Sequence, residues 1–326
     1  EKLAPSLTLS ITALANDLKA AGKDILSFSA GEPDFDTPQV VKDAAIKAIN
    51  EGKTKYTAVE GIKETKQAII NKLKKDHNLD YTLDKIVISN GAKHSLFNLA
   101  QALIDEGDEV IIPSPYWVTY PELVVYSGGV PVFIETDEST EFKITAKQLK
   151  EKITPKTKIL MLNSPSNPTG SIYSRDELLA IGEVLKGTDI IVLSDEMYEK
   201  LIYKGKKFTA TAEVSPDMYN RTVTINGLSK SVAMTGWRFG YVACPNSALA
   251  KAMSKLQGQV TSNVNSMTQY AAIVALEGEA NKDIEMMRVE FEKRKDYAVK
   301  AINNISKLSC YDPDGAFYLF INIKKY

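Results

Sequence analysis

Cysteine is nearly missing from this chain. Cys244 and Cys310 are the only two, too far apart in sequence for the paired spacing of a zinc or redox site, so both read as inert core thiols and no metal is expected. An excess of one charge is missing too. Forty basic against 41 acidic residues leave a formal net charge of -1, so no global basic field favours nucleic acid or an anionic membrane. Any anionic ligand has to be caught locally. No apolar run approaches the length of a membrane span, and Glu1-Lys2-Leu3-Ala4-Pro5 lacks a charged-then-apolar leader, which makes a cytoplasmic location the expectation. There is no dinucleotide-type G-x-G-x-x-G, internal repeat, low-complexity tract or glycine-serine linker.

What is present is enough apolar chain for a large core. At 326 residues and 44% hydrophobic content, one big domain and a smaller one are expected. Apolar strand candidates at 86–88, 110–112, 130–134, 159–162, 190–193, 223–225 and 241–243 alternate with helical patterns, which argues for an α/β sheet, mostly parallel and sandwiched by helices. A first helical stretch ends near Gly22. Asp36-Thr37-Pro38 offers a cap and an early proline for the next helix, in which Val41, Ala44, Ala45, Ala48 and Ile49 recur at helical spacing before Gly52 stops it. Ser174 and Glu177 are spaced as a capping box for a crossover helix ending at Gly187. The run 316–323 reads as a further strand.

Three polar residues follow apolar strands closely: Asn167 after 159–162, Asp195 after 190–193, and Lys230 after 223–225. Ligands of open α/β sheets bind at such carboxyl ends. Each alone is an ordinary loop residue; the three together point to a site. A lysine amine there can form a Schiff base. Ser229 and Arg238 bracket it, and hydroxyl plus planar cation is a pairing that holds phosphate. Amine and phosphate grip suggest pyridoxal phosphate. Ser89-Asn90-Gly91-Ala92-Lys93 links a strand to a helix whose free backbone donors attract anions, so Gly91, Ala92 and Lys93 join the phosphate candidates.

Four motifs occur in order: Gly31-Glu32-Pro33-Asp34-Phe35, Asn163-Ser164-Pro165-Ser166-Asn167-Pro168-Thr169-Gly170, Ser194-Asp195-Glu196-Met197-Tyr198, and the stretch from Asn226 to Arg238 around Lys230. They resemble the class I and II aminotransferases, the pyridoxal-phosphate enzymes built on the aspartate aminotransferase fold, along nearly the whole chain. The resemblance implies roles. Lys230 would anchor the cofactor and then carry a proton to and from the substrate α-carbon, and Asp195, ahead of Glu196, would keep the cofactor ring nitrogen protonated. Asn167 and Tyr198 would hydrogen-bond the ring's phenolic oxygen. Trp117 would stack on the ring, with a packed or interface aromatic as the alternative. Gly31 would let backbone approach the substrate carboxylate, or is simply a turn glycine. Tyr56 would reach the phosphate of a neighbouring subunit, implying a homodimer.

The same resemblance implies three regions: 1–39 belonging to a small domain, 40–290 as the large cofactor-binding domain, and 291–326 as part of the small domain, incomplete at its C-terminal end. Neither end of the chain reads as a natural terminus. Lys93 stands in a helix first turn, where a cation is disfavoured by a few tenths of a kcal/mol or more, and it resembles the lysine with which a bacterial subgroup of aspartate aminotransferases meets the distal carboxylate of an acidic substrate. A solvated surface amine is the alternative. Pro5-Ser6-Leu7-Thr8 resembles that subgroup's substrate-covering segment. Transamination between L-aspartate and 2-oxoglutarate is the leading expectation, with prephenate as another acceptor. One departure is plain: the family's arginine for the substrate α-carboxylate has no counterpart, since no arginine follows Arg294 and neither Arg288 nor Arg294 matches its motif. Rival readings are an aromatic or alanine aminotransferase or a carbon-sulfur lyase on the same scaffold, and a cofactor-sensing regulator, which would carry a DNA-binding module before this pattern.

Overall fold

The computed structural model describes residues 7–28 and 31–326. All seven internal apolar runs form strands of one sheet: β1 (Ile86–Asn90), β2 (Glu109–Ser114), β3 (Val130–Glu135), β4 (Thr157–Asn163), β5 (Ile191–Asp195), β6 (Thr222–Gly227) and β7 (Phe239–Ala243). Their spatial order is β1-β7-β6-β5-β4-β2-β3. Neighbours from β6 across to β3 are parallel, and β7 runs antiparallel to both β1 and β6. Parallel neighbours require crossover connections, so helices cover both faces and the strands lose their polar alternation. All six positions of β6 are buried, threonines included.

Local chemistry sets several helix starts. Ser174 and Glu177 form the expected capping box, Ser174 Oγ accepting from the Glu177 N–H at 3.3 Å and Glu177 Oε2 from the Ser174 N–H at 2.7 Å. The helix Gln39–Asn50 departs from expectation. Pro38, not Asp36, occupies its cap position, with no side-chain cap, and the Pro38 carbonyl accepts from Val41 and Lys42. A proline there loses nothing, because its missing N–H would have had no helical partner. Val41, Ala45 and Ala48 are buried, whereas Ile46 and Ile49 are 54% and 52% exposed.

The run 316–323 is mostly not a strand. Ala316 takes φ 58°, a left-handed conformation that breaks an extended path, and Phe317 and Tyr318 then turn their rings against Tyr198. Only β9 (Ile321–Asn322) pairs, antiparallel, with β8 (Ser309–Cys310). The boundary expected at 290 falls inside the continuous helix Asn281–Asn303. Among the described residues no helix is long and apolar enough to cross a membrane, and Cys244 and Cys310 are both free and buried.

Candidate active site

The single antiparallel strand does the work of convergence. β1, β4, β5 and β6 end on one edge of the sheet, and β7 begins there, with Phe239 opposite Asn90. Arg238, just before Phe239, is therefore delivered to Gly91, just after Asn90. Gly91 has φ 83°, a conformation that strains other residues, and a Cβ on it would stand 2.5 Å from Arg238 Nη2, so a side chain there would displace the guanidinium. Arg238 itself holds φ 55°. A non-glycine residue in that region costs on the order of 1 kcal/mol, a cost met by the surrounding chain. Its Nη1 donates to the Thr235 carbonyl at 2.9 Å. No side chain caps the helix Ala92–Leu103, which leaves its first backbone donors beside this guanidinium. Ser229 is buried one residue before Lys230.

Asp195 closes β5 and is 5% exposed. Tyr120 donates to its Oδ2 at 2.8 Å and the Met197 N–H to its Oδ1 at 3.2 Å. Burial pushes its carboxyl up from the ordinary carboxylate range, while Tyr120, the Met197 N–H and the charge of Lys230 pull the other way. Glu196 faces away from it, its Oε1 accepting from Ser194 and from the Thr211 N–H. Asn163, ending β4, ties the neighbouring loop down: its amide donates to the Asp195 carbonyl at 3.0 Å and its oxygen accepts from the Asn167 N–H at 2.6 Å.

Lys230 donates to the Gly31 carbonyl and lies 5.5 Å from the centre of the Phe317 ring. Burial depresses its ammonium to about 8, with Arg238 adding to the effect and Glu32 and Asp195 opposing it. Tyr198 and Tyr318 share a hydrogen bond of 2.6 Å between their hydroxyls, and Asn167 Nδ2 donates to the Tyr318 hydroxyl at 3.4 Å. A Cβ on Gly31 would meet that same hydroxyl at 2.5 Å, so the Gly31 backbone can sit in the cleft only without a side chain. Lys93 Nζ stands 4.8 Å over the Trp117 ring, and Trp117 meets Tyr120 edge to face. Burial and the nearby Arg238 both lower the Lys93 pKa.

Lys230, Asp195, Tyr198, Asn167, Gly31, Gly91, Ala92, Lys93, Trp117, Ser229 and Arg238 thus gather at the strand ends. Tyr56 stands apart, 92% exposed. Pro5, Ser6 and Ala30 lie outside the described residues, and Leu7 and Thr8 open the helix Leu7–Ala20. Tyr120, Tyr318 and Phe317 belong to the site but carry no local signature; Tyr318 meets Tyr198 across 120 residues of chain. The donor set fits pyridoxal phosphate on the structure's own terms. Among the described residues, Lys93, Lys230 and Arg238 form no ion pair with a carboxylate, and they stand close enough that the charge of Arg238 acts on both lysines. An open helix start beside the unpaired charges of Arg238 and Lys93 suits an anionic ligand, and the buried Asp195 is a carboxylate of the kind that a protonated ring nitrogen would pair with. Arg288 and Arg294 are held elsewhere, by Glu285 and Glu292 and by Asp34 and Glu290 respectively.

Known proteins align with this arrangement. The family model for aminotransferase class I and II matches residues 23–326. An aspartate aminotransferase of Geobacillus stearothermophilus is 52% identical over 99% of this chain and 82% of its own length. An aspartate/prephenate aminotransferase of Nitrosomonas europaea is 48% identical over 100% of this chain and 82% of its own. The crystal structure of the aspartate aminotransferase from Rhizobium meliloti superposes with a TM-score of 0.94 at 44% identity, covering 98% of this chain and 80% of that one. With the family's four motifs converging at one sheet edge, the chain belongs to the class I and II aminotransferases, enzymes that use pyridoxal 5'-phosphate to exchange amino groups between amino acids and 2-oxo acids.

Proposed function

We propose that the chain transfers the amino group of L-aspartate to 2-oxoglutarate, giving oxaloacetate and L-glutamate. The observation that carries the choice of an acidic donor is Lys93, a cation without a carboxylate partner among the described residues, held over the Trp117 ring. Relatives named for aspartate support it. Prephenate is a second acceptor worth measuring, because relatives at 48% identity are named for both substrates.

Each residue has a definite task. Ser229, Arg238 and the helix start at Gly91, Ala92 and Lys93 would hold the cofactor phosphate; Asp195 would keep the proton on the ring nitrogen; Asn167 and Tyr198 would bind the phenolic oxygen. Bound there, pyridoxal phosphate would supply an electron sink for the substrate α-carbon as its proton departs. Lys230 Nζ is the base for that proton. With its pKa depressed to about 8, a useful fraction of the amine is neutral near physiological pH, where an ordinary lysine would be almost wholly charged. Trp117 would cover the ring, and Gly31 would offer its backbone to the substrate carboxylate.

Tyr56, exposed beyond the helix Gln39–Asn50 with its uncovered Ile46 and Ile49, supports a homodimer in which Tyr56 reaches the partner's phosphate. We propose a cytoplasmic protein, in keeping with two free thiols. The three-region division at 39 and 290 is proposed with the helix Asn281–Asn303 as the continuous link. The decisive experiment replaces Lys93 with serine and measures kcat/KM for aspartate and alanine. Loss of a charge-assisted contact should cost aspartate roughly ten- to a hundredfold and alanine little. Undiminished aspartate activity overturns the acidic donor and leaves the cofactor assignment standing.

A further inference from the structure

Behind the cleft lies a second constellation for which transamination has no evident use. His77 ends the helix Lys63–His77 with its side chain 7% exposed. Its Nε2 meets Glu199 Oε2 at 3.0 Å and its Nδ1 meets Glu213 Oε2 at 3.2 Å. A neutral imidazole owns one N–H, so both carboxylates are satisfied only by the doubly protonated cation. A helix C-terminus favours that charge as well. From the same helix, Lys72 Nζ stands 2.5 Å from Glu199 Oε1 and 3.3 Å from Asp76, which also meets Lys200 at 2.7 Å. Glu196 lies close enough to act on His77 through its charge, Arg175 is 3.8 Å from Glu213, and the Phe208 ring packs edge-on against the imidazole.

The geometry around the loop gives this cluster a purpose. In Asp195-Glu196-Met197-Tyr198-Glu199, Asp195 and Tyr198 face the cleft, whereas Glu196 and Glu199 face the buried cluster. We propose that His77 is a positioning residue, whose imidazolium acts with Lys72 to pin Glu199 and so fixes the loop that presents Asp195 and Tyr198 to the cofactor. The inference rests on the proposed roles of those two residues. Burial by itself would lower the His77 pKa, yet the hydrogen bonds to Glu199 and Glu213 bring it up to about 9. Lys72 first, then His77 and Lys200, reverse the effect of burial on Glu199 and hold it well below the usual range.

The chain has two histidines, so nitrogen-15 NMR of the imidazoles in the loaded enzyme is readily assigned with a His77→Gln variant. His77 should stay protonated on both nitrogens between about pH 6 and about pH 8, a range in which an ordinary imidazole titrates. His94, whose pKa burial lowers, should be neutral. A neutral His77 at pH 7 overturns the proposal. In folded, cofactor-loaded His77→Gln, kcat should fall about tenfold with KM nearly unchanged, as expected for a small misplacement of catalytic groups. The pH midpoint of the bound cofactor's visible absorbance should also move, by about half a unit, because the hydrogen bond from Tyr198 is no longer held in place. Glu213→Gln, which removes one of the two partners, should shift the midpoint less in the same direction, and it carries this test if His77→Gln does not fold. A folded variant with parental midpoint and kcat reduces His77 to a structural ion pair. If the parent takes up no cofactor, the aminotransferase roles fail, while the NMR result still judges the charge of His77.

Discussion

Lys72 and Lys230 are both lysines taken largely out of water, and the molecule treats them oppositely. Burial pulls both pKa values down. Around Lys72, Glu199 at 2.5 Å, helped by Asp76, overrides burial and holds the ammonium above its ordinary range. Around Lys230 the nearest carboxylates, Glu32 and Asp195, stay beyond ion-pair distance, Arg238 pushes the same way as burial, and the pKa ends near 8. Desolvation therefore does not decide what a buried amine is for. The distance to the first carboxylate does: a lysine paired with a carboxylate holds structure together, and one without an ion-pair partner is left available for chemistry.

The comparison breaks most visibly in rate. Lys230→Ala should lower kcat by roughly a hundred- to ten-thousandfold, the contribution expected of a positioned proton carrier, while the denaturant midpoint stays level or rises because a desolvated amine has gone. Steady-state transamination beside urea unfolding of the same preparation checks both halves. Lys72→Met should invert the pattern. Removing one partner of a buried pair costs about 3 kcal/mol, at the low end of the usual range because His77 still faces Glu199, while turnover per folded molecule should fall no more than about tenfold. A Lys72→Met protein as stable as its parent would undo the contrast.

Tyr120 sharpens it on the acid side of the cleft. It is a buried hydroxyl whose donation to Asp195 opposes the upward push of burial on that carboxyl. Tyr120→Phe should raise the Asp195 pKa further, cost roughly 1 to 3 kcal/mol of stability, and weaken the carboxylate proposed to face the ring nitrogen. The check is the pH profile of kcat, whose acidic limb should move to higher pH.

Much of this was legible in the sequence, for physical reasons. The seven strands announced themselves because a sheet covered on both faces demands runs such as Val110-Ile111-Ile112, and Lys230, Asp195 and Asn167 followed strands whose direction the crossovers dictate. The antiparallel course of β7 was not legible. It is what sets Arg238 against Gly91, and it depends on pairing with β1, some 150 residues away. Tyr120, Tyr318 and His77 were invisible for the same reason, each defined by a partner remote in sequence. The strand expected at 316–323 fails at Ala316, where the need to aim two aromatic rings at Tyr198 outweighs the apolar pattern.

A third lysine isolates the variable. Lys186 Nζ stands 2.6 Å from Glu183, almost the separation of Lys72 from Glu199, but these side chains are 56% and 62% exposed rather than 9% and 4%. Water already solvates both charges, so the pair gains little Coulomb energy, loses side-chain freedom, and is screened over about 8 Å at physiological salt. Lys186→Met should change stability by less than about 0.5 kcal/mol and leave transamination untouched. Urea unfolding in low and in high salt is the measurement. If Lys186→Met matched the loss predicted for Lys72→Met, ion-pair distance alone would set the energy, and the large cost assigned to breaking a buried pair at Lys72 could not be credited to its burial.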